Sequence, residues 1–425
     1  MPDWRQEIPS RDELELVQLE RLQSTLNRAH RQVKFYRRQF DELDLRPDDI
    51  QDLTQVTKLP FTSREDLSKN YPYGLFAVPL RDIVRIQSSP GATDNPVVVG
   101  YTAADLRFWR ELGARLYRSA EVSKEDIVQI VLSSGLTNWA RDLKDGAEHL
   151  GASVIPFSNL NFAKQLMVMR DYKSSVLVTT PSYARQLLRV REKMGLVAAD
   201  FNLKRAILVA EPLPSALRAE IQAGLQVSIS TAYGITEVLG PGLAFSCPEE
   251  TGFHFSEDHF LPEIVDPDSG ERRPFGLPGE LVITTLSTAA FPLLRFRTGD
   301  LTSLHPEACP CGCPLIRLGD ITGRCDRIFS IGGIKIHPDQ IGAAIREILE
   351  GHVPRHLLRR GRDEALDYLA IDIAVDELLF SDEVKCLEVI GRRLRRHLRE
   401  NLGIEARVSL VENLPPPDQE TIAIS

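Results

Sequence analysis

The chain predicts an α/β fold, and three observations carry that expectation. Between residues 103 and 230, strand-like and helical patterns alternate. Ile127–Leu132 (IVQIVL), Ser153–Pro156 and Ser175–Thr180 (SVLVTT) are apolar runs of strand length with helical stretches between them, the pattern of a sheet packed by helices. The chain has 425 residues and is 43% hydrophobic, enough for two or three domains with sizeable cores. Near the C-terminus, residues 366–377 (LDYLAIDIAVDE) read as a strand and 382–401 as a helix, which adds a second, smaller α+β unit.

Composition narrows the function. A net charge of −9 argues against a general nucleic-acid binder. The N-terminus, MPDWRQEIPSRDELELVQ, is charged and has no apolar segment of a secretory signal. No apolar run reaches membrane-spanning length. Six cysteines in a chain this long do not suggest a secreted disulfide scaffold. The expectation is a cytoplasmic protein without nucleic-acid or membrane partners.

Taken in order, residues 11–45 read as helix, with Leu14, Leu16, Leu19, Leu22 and Leu26 set among charges. Thr180-Pro181 reads as a helix start, since Pro suits the first turn. Ile207–Pro212 (ILVAEP) reads as a strand running into a loop. The densest stretch is Tyr233-Gly234-Ile235-Thr236-Glu237. Gly234 lets backbone approach a ligand closely, Thr236 can donate to a phosphate, Glu237 can help hold Mg²⁺, and Tyr233 offers a flat face to a base. A strand end followed by a turn accounts for the same residues. Asp300, after Thr298-Gly299, suits ribose hydroxyls. Cys247, His254, Cys309 and Cys311 supply four soft ligands, enough for a closed tetrahedral zinc site; free thiols on a Pro/Gly loop are the alternative.

These motifs, in this order, resemble the phenylacetate–coenzyme A ligase branch of the adenylate-forming superfamily. The resemblance rests on Phe35-Tyr36-Arg37, Lys58–Thr62 (KLPFT), Tyr71–Pro79 (YPYGLFAVP), Val99–Thr102 (VGYT), Tyr233–Glu237, Gly279–Leu286 (GELVITTL) and Arg295–Asp300 (RFRTGD), and extends to about residue 345. It implies a large N-terminal adenylate-forming region, residues 1–325, with sheets packed by helices. A small mobile α+β C-terminal domain, 326–425, would pivot at a hinge on Asp326. It also implies ATP-dependent adenylation of a carboxylic acid, aryl-acetate-like, followed by thioester formation with coenzyme A.

The resemblance assigns sites residue by residue. Ser89, Gly91 and Thr93 fall in the phosphate loop. Ala210, Glu211 and Pro212 lie beside the adenine with Tyr233 and Gly234. Thr236 and Glu237 serve the phosphates with Mg²⁺. Asp300, Ile321 and Arg324 hold the ribose end. Gly332, Gly333 and Lys335 belong to the segment that faces the thioester step. The Cys…His…Cys-x-Cys pattern occurs in part of this branch as structural zinc, and Cys313, where the branch often has Arg, is a spare or alternative ligand. The branch commonly forms homodimers, which leaves a homodimer open here.

The chain also departs from the family. In the phosphate loop, SSPGATDNP (88–96), Pro90 removes an N–H donor, and Asp94 and Asn95 stand where glycine and lysine are usual. An acid about 6 Å from a phosphate charge costs roughly 3 kcal/mol at an effective dielectric of about 20. The acyl-pocket segment has Thr137, Asn138 and Trp139 where the family prefers glycine and aromatics. No lysine follows Lys385, so either the family's C-terminal adenylation lysine is lost or its last strand is altered. Loss of such a preorganised charge costs about 10²–10³ in rate. The arginines at 392, 393, 395 and 396 read as a solvated helix face, or as a contact for the anionic tail of coenzyme A. A catalytically impaired paralogue that still binds nucleotide or acyl-adenylate is therefore the second expectation.

Overall fold

The computed structural model describes residues 5, 8–89, 95–133, 136–156, 160–238, 240–249, 252–362, 367–376, 384–416 and 421–424. Five parallel strands lie side by side in the order Ser153–Ile155, Ile127–Ile130, Val176–Thr179, Arg205–Val209 and Ser228–Ile235. Parallel neighbours need crossovers, and the helices Thr137–Leu150, Phe162–Asp171, Pro181–Lys193 and Ser215–Leu225 supply them. Alternate residues enter different cores. Val176, Val178 and Ile207 pack on one side of the sheet, while Leu177, Ala206 and Leu208 pack on the other. That two-sided burial is why these strands read as unbroken apolar runs.

Four antiparallel strands, Gly240–Ser246, Phe253–Phe255, Arg317–Leu318 and Leu304–His305, extend the sheet to nine. A second, four-stranded antiparallel sheet contains Phe260–Val265, Gly279–Thr285, Phe296–Thr302 and Gly323–Arg324. Its register sets Asp300 directly opposite Arg324. The C-terminal part has a hairpin, Phe329–Ile331 with Ile334–Ile336, then helix Pro338–Ile348, a four-stranded sheet and helix Val384–Leu402. Its core is separate and includes Ile341, Leu358, Ile371 and Leu398.

Element boundaries differ from expectation where tertiary packing intervenes. The helix expected over 11–45 is two, Arg11–Gln32 and Lys34–Glu42. Fully buried Val33 is extended between them, and the break turns Phe35, Tyr36 and Phe40 into the core. The C-terminal strand and helix run Asp367–Ala374 and Val384–Leu402. Thr180 does cap a helix; its side chain accepts from the Tyr183 amide. Among the described residues no helix is long and apolar enough to cross a membrane.

Candidate functional site

The site forms where the last parallel strand runs into the short turn Thr236–Val238, beyond the carboxyl ends of the parallel strands. Gly234 is required there for a reason the sequence does not reveal. A Cβ on it would lie 1.9 Å from the Gly240 carbonyl oxygen of the antiparallel neighbour, at a register shift between the two strands. The close approach that fixes glycine here is to the backbone of the neighbouring strand.

Tyr233 crosses to the second sheet and donates its hydroxyl to Asp300 Oδ2 at 2.6 Å. Arg324 Nη1 donates to Asp300 Oδ1. The same guanidinium grips both oxygens of Asp326, Nε to Oδ1 at 2.7 Å and Nη2 to Oδ2 at 2.6 Å, and reaches the Thr298 carbonyl at 2.8 Å. Gly299 makes room for this: a Cβ there would stand 2.4 Å from Asp326 Oδ2 and 2.5 Å from Arg324 Nη2. Thr236 Oγ1 donates to Glu237 Oε2 at 3.3 Å.

Arg64, which the motif reading did not select, ties the two ends together. Its Nε donates to Glu237 Oε1 at 2.8 Å and its Nη1 to Asp326 Oδ2 at 3.1 Å. The fold places it by two devices. Thr62 exchanges backbone hydrogen bonds with Arg295 and Arg297, which pins its segment to the strand bearing Asp300. Ser63 and Asp66 form a capping box that starts helix Arg64–Lys69. One signal was available: an arginine at the first position of a helix sits at the positive end of the dipole and so needs a compensating partner.

Lys335 completes the constellation, with Nζ 3.6 Å from Asp300 Oδ2. Three cations, Arg64, Arg324 and Lys335, thus meet three acids, Glu237, Asp300 and Asp326. Burial works to raise the Glu237 carboxyl, but Arg64 and then Lys335 hold it down to about 2. Burial likewise opposes ionisation of Asp326, and Arg324 and Arg64 reverse it. Burial pulls the Lys335 ammonium down, countered by Asp300. The Tyr233 phenol is pushed well up by burial and by Asp300 beside it, so it stays a donor.

The hairpin turn before Lys335 is seated on the large region. A Cβ on Gly333 would be 2.7 Å from Leu136 Cδ1 and 3.2 Å from Ala210 Cβ, and Ser133 Oγ donates to the Gly332 carbonyl at 3.3 Å. Ala210 itself holds φ of 68°, a left-handed conformation unusual for alanine. The next residue anchors it: Glu211 accepts from Ser182 N at 2.9 Å and from Ser182 Oγ at 2.8 Å, at the N-terminus of helix Pro181–Lys193, where a carboxylate is favoured. Pro212 is exposed, and Ile321 is half-buried just before the strand that carries Arg324.

Residues 146–290 match the AMP-binding enzyme family, and residues 333–421 match the AMP-binding enzyme C-terminal domain. The phenylacetate–coenzyme A ligase of Thermus thermophilus is 38% identical over 419 residues, covering 96% of this chain and 93% of that protein. That of Escherichia coli is 38% identical over 411 residues, covering 95% and 92%. The chain belongs to the phenylacetate–coenzyme A ligase family. It is an AMP-forming acyl–coenzyme A ligase, and the impaired-paralogue alternative is not favoured.

Among solved structures, 2-hydroxyisobutyryl-CoA ligase with 2-HIB-AMP and CoA in the thioesterification state superposes with a TM-score of 0.88 at 25% identity, covering 97% of this ligase and 89% of that chain. The same enzyme in the postadenylation state with R3-HIB-AMP gives 0.70, covering 95% and 86%. This chain as a whole superposes more closely on the thioesterification-state structure than on the postadenylation-state one.

The remaining predicted positions divide. Ser89 ends the hairpin strand Arg85–Ser89, paired through its backbone with Val97. Gly91 and Thr93, with Pro90 and Asp94, lie outside the described residues. Asn95 binds back on the protein, its amide donating to Ser68 Oγ at 3.3 Å and its Nδ2 to the Ser68 carbonyl at 3.2 Å.

Cys247, His254, Cys309 and Cys311 do converge, with ligand atoms all within 4.8 Å of one another. Cys247 Sγ and Cys309 Sγ are 3.7 Å apart, and Cys311 Sγ is 3.3 Å from His254 Nε2. A tetrahedral ion with metal–sulfur bonds of about 2.3 Å would separate two sulfurs by roughly 3.8 Å, so the donor set fits zinc. Cys313 stands apart from this group. Its amide donates to Cys311 Sγ at 3.4 Å while its buried side chain packs with Leu315 in the core, which removes it as an alternative ligand.

Proposed function

We propose that this ligase activates an aryl-acetate-like carboxylic acid in two steps on one site. A carboxylate oxygen attacks the α-phosphorus of ATP and expels pyrophosphate; the coenzyme A thiol then displaces AMP from the acyl-adenylate. The protein's share is positioning and charge neutralisation. Asp300, held by Tyr233 and Arg324, is the acceptor for the ribose hydroxyls. Ala210, Glu211 and Pro212 supply backbone beside the adenine, with Glu211 spent on orienting the loop rather than on the base.

Thr236 and Glu237 offer two hard oxygens 3.3 Å apart, a pair that fits Mg²⁺ once phosphate oxygens complete the shell. The ion would neutralise charge on the phosphates. Arg64 joins this set. Its Nη2 is buried with no hydrogen-bond partner among the described residues, a donor available to an anionic phosphate. Gly332, Gly333 and Lys335 act in the second step, and Asp326, gripped by Arg324 and Arg64 where the two regions meet, serves as the pivot between residues 1–325 and 326–425. Structural zinc on Cys247, His254, Cys309 and Cys311 would tie the 247–254 loop to the 309–313 loop.

The observation that carries this reading is the unbroken run of contacts Glu237–Arg64–Asp326–Arg324–Asp300–Tyr233, closed by Lys335. Incubation with ATP, coenzyme A and a panel of aryl and alkyl acids, read for acyl–coenzyme A and AMP by mass spectrometry, tests it. The expected result is stoichiometric AMP and thioester from at least one acid. AMP release without thioester, or neither, would contradict it.

A further inference from the structure

The helix Thr137–Leu150 presents an unusual pair to the space beside Thr236. Trp139 is 6% exposed, and its Nε1 is buried without a hydrogen-bond partner among the described residues. One turn on, Asp142 is 4% exposed. Arg85 Nη1 and Gln87 Nε2 both donate to Asp142 Oδ1, at 3.1 and 3.4 Å, and no described residue donates to Oδ2. The two vacant groups face one point: a Cβ on Gly240 would lie 3.3 Å from Asp142 Oδ2 and 3.6 Å from Trp139 Nε1. Gly240 holds φ of 81°, which keeps that point clear of a side chain.

The cavity at this point is about 10 Å³ and is lined by Gln87, Val97, Asn138, Trp139, Asp142 and Thr236, among others. That is room for one water-sized group, far short of a phenyl ring. Gln87 is engaged at both ends, its Oε1 accepting from the Tyr101 hydroxyl at 2.6 Å and its Nε2 donating to Asp142 at 3.4 Å. A purely apolar acyl end would leave a buried N–H and a carboxyl oxygen without partners, each a desolvation loss of about 1–3 kcal/mol. A hydroxyl is the size of the cavity and answers both groups, accepting from one and donating to the other.

We propose that the acyl pocket of this ligase selects an acid whose end remote from the carboxylate bears a hydroxyl, which accepts from Trp139 Nε1–H and donates to Asp142 Oδ2. The inference rests on the ligase reading above and narrows its substrate class. Burial raises the Asp142 carboxyl to about 7 against the pull of Arg85.

The test is kcat/KM for acid-dependent ATP–pyrophosphate exchange, full-length enzyme, on matched pairs: phenylacetate against 4-hydroxyphenylacetate, and butanoate against 4-hydroxybutanoate. In the pair that reacts faster, the hydroxy acid should lead by about ten- to a hundredfold. Trp139→Phe removes a donor that has no partner among the described residues and keeps an aromatic ring in the core, and it should bring that ratio down by about tenfold. A ratio near one in the unmodified enzyme, or a ratio that Trp139→Phe leaves intact, overturns the proposal while the ligase reading stands. Exchange with neither member of either pair, but with other acids, also overturns it. Exchange with no acid at all is failure of the ligase reading, and the proposal falls with it.

Discussion

Arg64 joins the two ends of the site's charge network, since it faces both Glu237 and Asp326. Removing one partner of a buried pair is strongly destabilising because the other is left uncompensated. Arg64→Met should therefore cost about 3 kcal/mol at pH 7, read by urea denaturation. The pH dependence has a definite sign. Glu237 titrates at about 2 in the folded chain against its ordinary 4.5, so its contribution is complete above 4.5 and is lost as pH falls toward 2. The gap between the parent and Arg64→Met should narrow as pH is lowered through that window. A gap that is constant from pH 7 to 3 would mean Arg64 acts through packing and not through Glu237.

At the scale of elements, the hairpin Phe329–Ile336 and the two cysteine loops make separate, checkable claims. Gly333 has φ of 81° and no room for a Cβ, whereas Gly332, at 57°, has nothing within 4 Å of one. Gly333→Ala should slow thioester formation from supplied acyl-adenylate by about tenfold or more, because the hairpin can no longer seat against Leu136 and Ala210. Gly332→Ala carries only the backbone strain, about 1 kcal/mol, and should have a smaller effect. Equal losses in the two variants would show that the hairpin's own conformation, not its seat, is at stake. For the loops, metal analysis should find about one zinc per chain, lost in Cys309→Ser. Burial pushes the metal-free Cys247 thiol up, so zinc uptake must release protons and should weaken as pH falls. Absence of zinc in the purified parent would leave the three cysteines and His254 as a metal-free cluster and overturn the zinc reading.

Over the whole molecule, the α/β sheet and the individual residues Tyr233, Asp300 and Arg324 are legible in the sequence, while the hydrogen bonds that join the three are not. Their residues sit in short contiguous motifs with strand periodicity around them. Arg64 was not, because its partners lie 173 and 262 positions away and only the pairing of Thr62 with the Phe296–Thr302 strand brings them near. The need for glycine at 234 against the Gly240 carbonyl is invisible without the sheet register. Glu211 and Cys313 show the same limit: their side chains face helix Pro181–Lys193 and the core. The cavity beside Trp139 shows in the sequence only as the departure at Thr137–Trp139; that Asp142 and Gly240 line it too requires the fold.

The departures in the phosphate loop belong to this scale too, since they bear on one half-reaction of a two-step enzyme. Asp94→Gly with Asn95→Lys, made together, should raise adenylation about tenfold or more by removing an acid and restoring a cation; no change would place the limit elsewhere. The claim beneath all of these is that the chain adenylates a carboxylic acid despite that loop. ATP–pyrophosphate exchange at high enzyme concentration, across a panel of aryl and alkyl acids, addresses it most directly. The expected result is exchange that depends on one class of acid. A complete absence of acid-dependent exchange, from protein that is folded and binds AMP by calorimetry, would contradict it.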